Sequence, residues 1–255
     1  MMHCISLSGG LGSAVTALAA HEAGLPFRMI FADTLIEDED LYRFLDEIEA
    51  HTGVEITRVV DGRTPWDVFK DKRYIGNTRT AHCSAELKTK PIREWLDANT
   101  PQTDPLVLGM DWSEMDRIER AAKNWAPRPV ISLLNELQVL RTQWPGFLKR
   151  AGIKQPRLYD LGFAHNNCGG FCVKAGKKQF ANLRRHFPDR YQQHADLMDE
   201  AMNAIGPTAR PFLRDNTGGE TTYQTLNEFA ADLDQGAKLP LFDHEGCGCF
   251  TEEAN

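Results

Sequence analysis

Hydrophobic residues recur along this chain first as short runs and then as helical stripes. His3 to Leu7 and Phe27 to Ala32 are apolar runs of strand length, and Ser13 to Ala23 between them is a helix-forming string stopped by Gly24-Leu25-Pro26. Together they predict a βαβ unit. Leu41, Phe44, Leu45 and Ile48 share one face of a helix predicted over Glu37 to His51, and the alternation from Val54 to Val60 predicts a third strand. Asp61 to Ala81 is weaker: an apolar cluster at Trp66, Val68 and Phe69 precedes a basic run, which reads as a solvated surface loop or a loop covering a ligand. A helix carrying Ile92, Trp95 and Leu96, a strand from Pro105 to Gly109 and a charged helix from Asp111 to Trp125 follow.

Val130 to Leu134 is expected to close the sheet, and Leu137 to Ala151 to form a helix interrupted by Pro145. Tyr159 to Cys172 reads as loop, and Val173 to Met202 as a long helical stretch divided at Pro188. The tail holds a Gly218-Gly219 turn and a short helix near Leu226 to Leu233. Strands separated by helices of this length imply an α/β fold, a doubly wound parallel sheet of Rossmann-like form, with a mostly helical, cysteine-containing C-terminal region. The expected division is 1–134 for the α/β domain and 135–255 for the helical region packed on it.

Composition narrows the class. A chain of 255 residues with 42% hydrophobic content buries a sizeable core. The first apolar run is too short and too broken by Ser and Gly for a signal peptide or membrane span, so a cytoplasmic protein without membrane contact is expected. A net charge of -7 argues against a general nucleic-acid coat protein. Against that acidity, Lys174, Lys177, Lys178, Arg184, Arg185 and Arg190 make one basic stretch, read as a solvated helix face or as a surface for an anion, nucleic acid included.

Candidate chemistry begins at Ser8-Gly9-Gly10-Leu11-Gly12-Ser13, where a strand gives way to a helix. Glycines let a phosphate approach the backbone, the positive end of the helix dipole faces it, and the hydroxyls of Ser8 and Ser13 add donors. Asp33-Thr34 stand at the end of the second strand, the edge at which parallel sheets bind ligands. Cysteines supply the other signal. Cys168-Gly169-Gly170-Phe171-Cys172 and Cys247-Gly248-Cys249 are close pairs flanked by glycine, able to make a four-thiolate site for zinc or an iron–sulfur cluster, and His165 is a further candidate ligand. Alternatively they are buried thiols, as expected for Cys4 inside its strand, or redox groups, with Cys247 or Cys249 as a thiolate nucleophile.

Several elements in order resemble the phosphoadenosine phosphosulfate (PAPS) reductase and N-type ATP pyrophosphatase superfamily. They are the Ser-Gly-Gly-x-Gly-Ser loop, Phe31-Ala32-Asp33-Thr34 before an acidic helix with Tyr42-Arg43-Phe44, Cys83-x-x-x-Leu87-Lys88-x-x-Pro91, and Gly109-x-Asp111-x-x-Glu114-x-x-Arg117, with Leu158 to Phe163 extending the likeness. The resemblance implies an adenine-nucleotide site, ATP or PAPS, at the sheet edge. The loop Ser8 to Ser13 would hold phosphate or sulfate, Asp33-Thr34 would lie by the adenosine, and Lys88 and Arg117 would supply charge to the anion as catalytic groups; Cys247 and Cys249 join the catalytic candidates through the thiolate reading alone.

The chain departs from that pattern at three places, one of them the usual C-terminal signature of the reductases, a single Cys near a Glu and followed by a His, which Glu245-Gly246-Cys247-Gly248-Cys249-Phe250 does not reproduce. ATP pyrophosphatases of the superfamily usually carry Asp before the last Ser of the loop, where this chain has Gly12, so a magnesium site loses an oxygen ligand. The cluster-containing reductases have adjacent cysteines where this chain has Cys83-Ser84, which makes Cys83 a metal-ligand candidate with Cys168, Cys172, Cys247 and Cys249. The expected function is nucleotidyl activation or sulfur transfer beside a cysteine-bound centre. The alternatives are thiol-dependent reduction of a sulfonucleotide, and a nucleotide sensor or nucleic-acid-associated module without turnover. A sulfur carrier or a nucleic acid would be the acceptor. The sequence names neither the acceptor nor the oligomeric state.

Overall fold

The computed structural model describes residues 1–215 and 221–240. Five parallel strands, β1 (His3–Leu7), β2 (Phe27–Asp33), β3 (Ile56–Val60), β4 (Leu106–Leu108) and β5 (Val130–Ile131), lie in the order β3-β2-β1-β4-β5. Both faces of the sheet are covered. Ile5, Leu7, Met29 and Phe31 point into one core with α1 (Leu11–Glu22) and α2 (Glu39–Thr52). The alternate residues Cys4, Ile30 and Ala32 point into a second core with Ile92, Leu96, Ile118 and Trp125. This alternation, apolar on both sides, is what a doubly wound sheet requires. Cys4 is fully buried, and burial raises its thiol pKa, as expected of an inert core cysteine.

The region from 61 to 81 differs from expectation. Residues Pro65–Asp71 form α3, opened by a reciprocal cap between Thr64 and Asp67 with Pro65 in the first turn. Trp66 and Phe69 are buried, and so are Ile75 and Ala81 beyond the helix, so the segment belongs to a third core instead of a solvated loop. The chain then takes a short turn, α4 (His82–Ser84), a wide turn of π-helix over Ala85–Thr89, and α5 (Lys90–Asn99). After β4 a 3₁₀ turn at Trp112–Glu114 leads into α6 (Met115–Trp125).

Beyond β5 the chain turns into a helix earlier than expected. Ser132 accepts a hydrogen bond from the Asn135 amide and caps α7 (Leu133–Glu136), so Leu133 and Leu134 are helical, not strand. Pro145 does not interrupt a helix. It lies in the first turn of α8 (Trp144–Ala151), where the missing amide hydrogen costs nothing. A short α9 (Arg157–Asp160) precedes α10 (Lys177–His186) and α11 (Pro188–Ile205), which meet at Pro188 as expected. Two short antiparallel strands, β6 (Leu213–Asp215) and β7 (Thr222–Gln224), and α12 (Leu226–Asp234) complete the described chain. No helix among the described residues is long and apolar enough to cross a membrane.

Packing crosses position 134 in both directions. Trp144, Phe147 and Leu148 of α8 join the core around α1, whereas Trp66 and Phe69 of α3 join Phe180, Tyr191 and Met198 of the later helices.

Candidate functional site

In the order β3-β2-β1-β4-β5 the chain reverses direction across the sheet between β1 and β4, and a crevice forms beyond their carboxyl ends. A cleft of about 500 Å³ lies there. Its floor is Ser8, Gly10, Leu11, Gly12 and Ser13, with Gly109 and Met110 from the end of β4, and its walls include Arg117, Arg141, Trp144, Tyr159 and His165.

The loop is shaped largely by its own hydroxyls. Ser13 Oγ accepts from the Ser8 amide at 3.1 Å and donates to the Gly10 carbonyl at 3.0 Å, so Ser13 holds the loop closed instead of offering its proton outward. Tyr159 Oη accepts from the Leu11 amide at 3.2 Å. The capping residue Gly10 offers no side chain and the first turn holds no acid, so apart from the Leu11 amide taken by Tyr159 the positive end of the helix lies at the cleft floor without a counter-charge of its own. A Cβ on Gly12 would stand within 3 Å of the Gly109 carbonyl oxygen, and one on Gly109 within 3 Å of the Ser13 amide. Backbone packs on backbone here. The side chain missing from position 12 is therefore one the fold has no room for.

Positive charge reaches the rim from two segments. Arg117 pairs with Glu114, and Arg141 donates from Nε to Asp111 at 2.8 Å with Glu114 a further 3.6 Å contact. Burial alone would raise the Asp111 carboxyl, but the Ser113 hydroxyl and amide, with Arg141, outweigh it and hold it below the usual carboxylate range.

Asp33, Thr34 and Lys88 do not line this cleft. Asp33 accepts from the Leu35 amide at 2.8 Å and from the Tyr42 hydroxyl. Thr34 donates to Glu37 at 2.9 Å, and the buried Lys88 ammonium lies 3.5 Å from the same carboxylate. Glu37 is also the acceptor for the Cys168 amide. Burial pushes its carboxyl above the ordinary range, against the pull of Lys88, Thr34 and that amide. Expected inside the helix, Glu37 instead precedes it, and Asp38 is the capping residue, accepting from the Asp40 amide.

The turn Asn167–Gly170 is bolted beside the cleft. Cys168 and Gly169 both adopt left-handed backbone, a conformation a cysteine holds only where its surroundings enforce it. The enforcing bonds are Glu37 to the Cys168 amide, Arg190 to the Gly169 carbonyl at 2.9 Å and Gln179 to the Gly170 carbonyl at 3.0 Å. Just before the turn, Asn166 Nδ2 donates to the Gly9 carbonyl at 2.9 Å, tying the cysteine segment to the anion loop. Arg190 of the basic stretch and Arg157 of α9 both pair with buried Asp38 at 2.8 Å, which fastens α11 and α9 to the start of α2.

Cys168 is buried, and Cys83 and Cys172 are half-buried against the third core. Among the described residues no three His, Cys, Asp or Glu side chains are grouped to hold a metal ion. Cys247 and Cys249, like the Gly218-Gly219 turn, lie outside the described residues. The described ligand candidates do not by themselves compose a zinc or iron–sulfur site.

Sequence reasoning assigned no role to Glu37, Asn166, Arg141, Trp144 or Tyr159. Tyr159 stood in a noted motif and Thr34-x-x-Glu37 is a readable spacing; the rest carry no local signal.

Comparison with known proteins bears out the resemblance. Residues 2–122 match the phosphoadenosine phosphosulfate reductase domain family. Two uncharacterized proteins of Methanocaldococcus jannaschii are similar, one 24% identical over 205 residues, covering 77% of this chain and 41% of the relative. The other is 22% identical over 199 residues, covering 76% and 46%. The chain thus spans less than half the length of these curated relatives. Among solved structures, a phosphoadenylyl-sulfate (PAPS) reductase from Candida auris, in a phosphate complex, aligns with a TM-score of 0.45 at 15% identity over 64% of this chain and 78% of that one.

Proposed function

We propose, from the similarity of residues 2–122 to the phosphoadenosine phosphosulfate reductase domain, that the cleft between β1 and β4 binds an adenine nucleotide through its phosphate or sulfate group. One observation carries the reading: the amino end of α1, whose first turn holds no acid, and the loop Ser8 to Ser13 form the floor of a cleft whose rim bears Arg117 and Arg141. Such a floor neutralises and positions an anion, which is most of what transfer chemistry at phosphorus or sulfur asks of a protein.

The reaction we read there is sulfur-directed. The Gly12–Gly109 contact leaves no space for the carboxylate that a magnesium-assisted attack on ATP would use, while a sulfonucleotide needs none at that position. A cysteine thiolate would attack the sulfonate sulfur, forming a cysteine S-sulfonate and releasing the nucleotide as its phosphate. A second thiol would then displace sulfite and close a disulfide, which an external dithiol reopens. Cys247 or Cys249 would be the attacking thiol, with the other, Cys168 or Cys172 as candidates for the second. Zinc or an iron–sulfur cluster on these cysteines with Cys83 is tested separately, by metal analysis and visible absorption of anaerobically purified protein. Metal-free protein with every thiol titratable would remove it.

The test of function is release of sulfite from PAPS with a dithiol reductant, beside release of pyrophosphate from ATP. Sulfite is expected. Pyrophosphate without sulfite would keep the nucleotide site and overturn the sulfur chemistry. Ser8→Ala combined with Gly10→Val should abolish nucleotide binding in a folded protein, and unchanged binding would overturn the site.

A further inference from the structure

His165 lines the cleft wall beside the anion loop, and the residue is 8% exposed. Neither ring nitrogen has a hydrogen-bond partner or meaningful contact with solvent among the described residues. An imidazole always carries a nitrogen seeking a proton or offering one, and leaving both unmet in a protein interior is costly. A polar group of a ligand seated in the cleft is one way to relieve it, and the position of His165 on the cleft wall is what points to that one.

The surroundings say which part of a ligand would do so. Asn166, the next residue, is fastened to the Gly9 carbonyl, which sets the His165 segment against the loop. The Lys88 ammonium is close enough to act on the ring electrostatically. Lys88 is itself paired with Glu37, so it is the amino end of α1, with no acid in its first turn, that makes this a place for negative charge. Burial, and after it Lys88, lowers the imidazole to about 4, so at neutral pH the ring is uncharged and presents one N–H and one lone pair.

Resting on the nucleotide reading of the cleft, we infer that His165 is a ligand-binding residue, whose imidazole N–H hydrogen-bonds an oxygen of the phosphate or sulfate group seated on the Ser8 to Ser13 loop. It is a binding donor to the anion, and neither a metal ligand nor a general base. The ring sets how the anionic group is oriented, and so which of its oxygens faces the thiol chemistry.

The experiment compares wild type, His165→Leu and His165→Asn by calorimetric titration with PAPS and with adenosine, which has no anionic group. His165→Leu should weaken PAPS binding about tenfold or more, the usual scale for a lost hydrogen bond to a charged group, and leave adenosine binding unchanged. His165→Asn keeps an N–H donor and should restore most of the loss. In wild-type protein with ¹⁵N-labelled histidine, one ring-nitrogen resonance of His165 should move on addition of PAPS and stay in place with adenosine, a readout independent of whether either variant folds. Equal PAPS affinity in wild type and His165→Leu, parallel loss of adenosine binding, or an unmoved ring signal with PAPS bound would each overturn the role of His165 while leaving the nucleotide site standing. A wild type that binds neither PAPS nor ATP would overturn the reading of the cleft, and this inference with it.

Discussion

The carbonyl oxygen of Gly109 occupies the space a Cβ on residue 12 would need. The contact joins the first turn of α1 to the end of β4, the two elements that frame the cleft, so neither can shift without the other. Gly12→Ala and Gly12→Asp should therefore each cost about 1–3 kcal/mol, the usual scale of overpacking, and should weaken adenylate binding as the loop is displaced. Urea denaturation of both variants checks this; an unchanged midpoint would show that the backbone yields.

Glu37 and Lys88 form a buried pair in which each charge depends on the other. Lys88→Met should cost about 3–5 kcal/mol, and the Lys88→Met/Glu37→Gln double variant should recover part of it. Because the Glu37 carboxyl is raised in the fold, its contribution to stability is present below the unfolded pKa of 4.5 and is lost as pH rises through the folded value. Relative to Glu37→Gln, the wild type should lose stability as pH rises above 4.5. The measurement is a pair of denaturation series across that range, and parallel curves would contradict it.

His194 titrates with the opposite sign. Its Nδ1 accepts from Trp66 Nε1 at 3.0 Å, its ring stacks on Phe171, and burial lowers it to about 3, Arg190 adding to the effect. The unfolded chain therefore binds the extra proton first. Stability should fall as pH drops below 6.5 and keep falling toward about 3, by roughly 1.4 kcal/mol per pH unit for one proton. His194→Gln should flatten that slope, apart from the share His165 contributes. An equally steep acid limb in the variant would show that other groups govern it.

Glu114 draws on both rim arginines. Glu114→Gln should release Arg117 and Arg141 toward a bound anion and tighten adenylate binding about two- to fivefold at low salt, fading as salt is added. Arg117→Ala should weaken binding about tenfold. Titrations at two ionic strengths separate these outcomes, and a Glu114→Gln variant that binds more weakly would mean the carboxylate positions the arginines.

The five strands, the helices between them and the loop at the sheet edge were legible in the sequence because each element buries a face of its own. Alternation and helical spacing record that burial locally, residue by residue. Thr64-Pro65-x-Asp67 shows where the reading ran short: the start signal of α3 was present, and the basic residues after it masked a helix whose partners, α11 among them, lie far along the chain.

Which residues meet at the cleft was decided only by the tertiary structure. Arg141, Trp144, Tyr159 and His165 reach the loop at residues 8–13 from segments more than 120 positions away, and Lys88 turns from the cleft lining to Glu37. Periodicity reports that a side chain is covered. It carries no information on what covers it, because that choice is made by the crossing of the chain between β1 and β4 and by the buried bonds that fix the 165–170 segment against it.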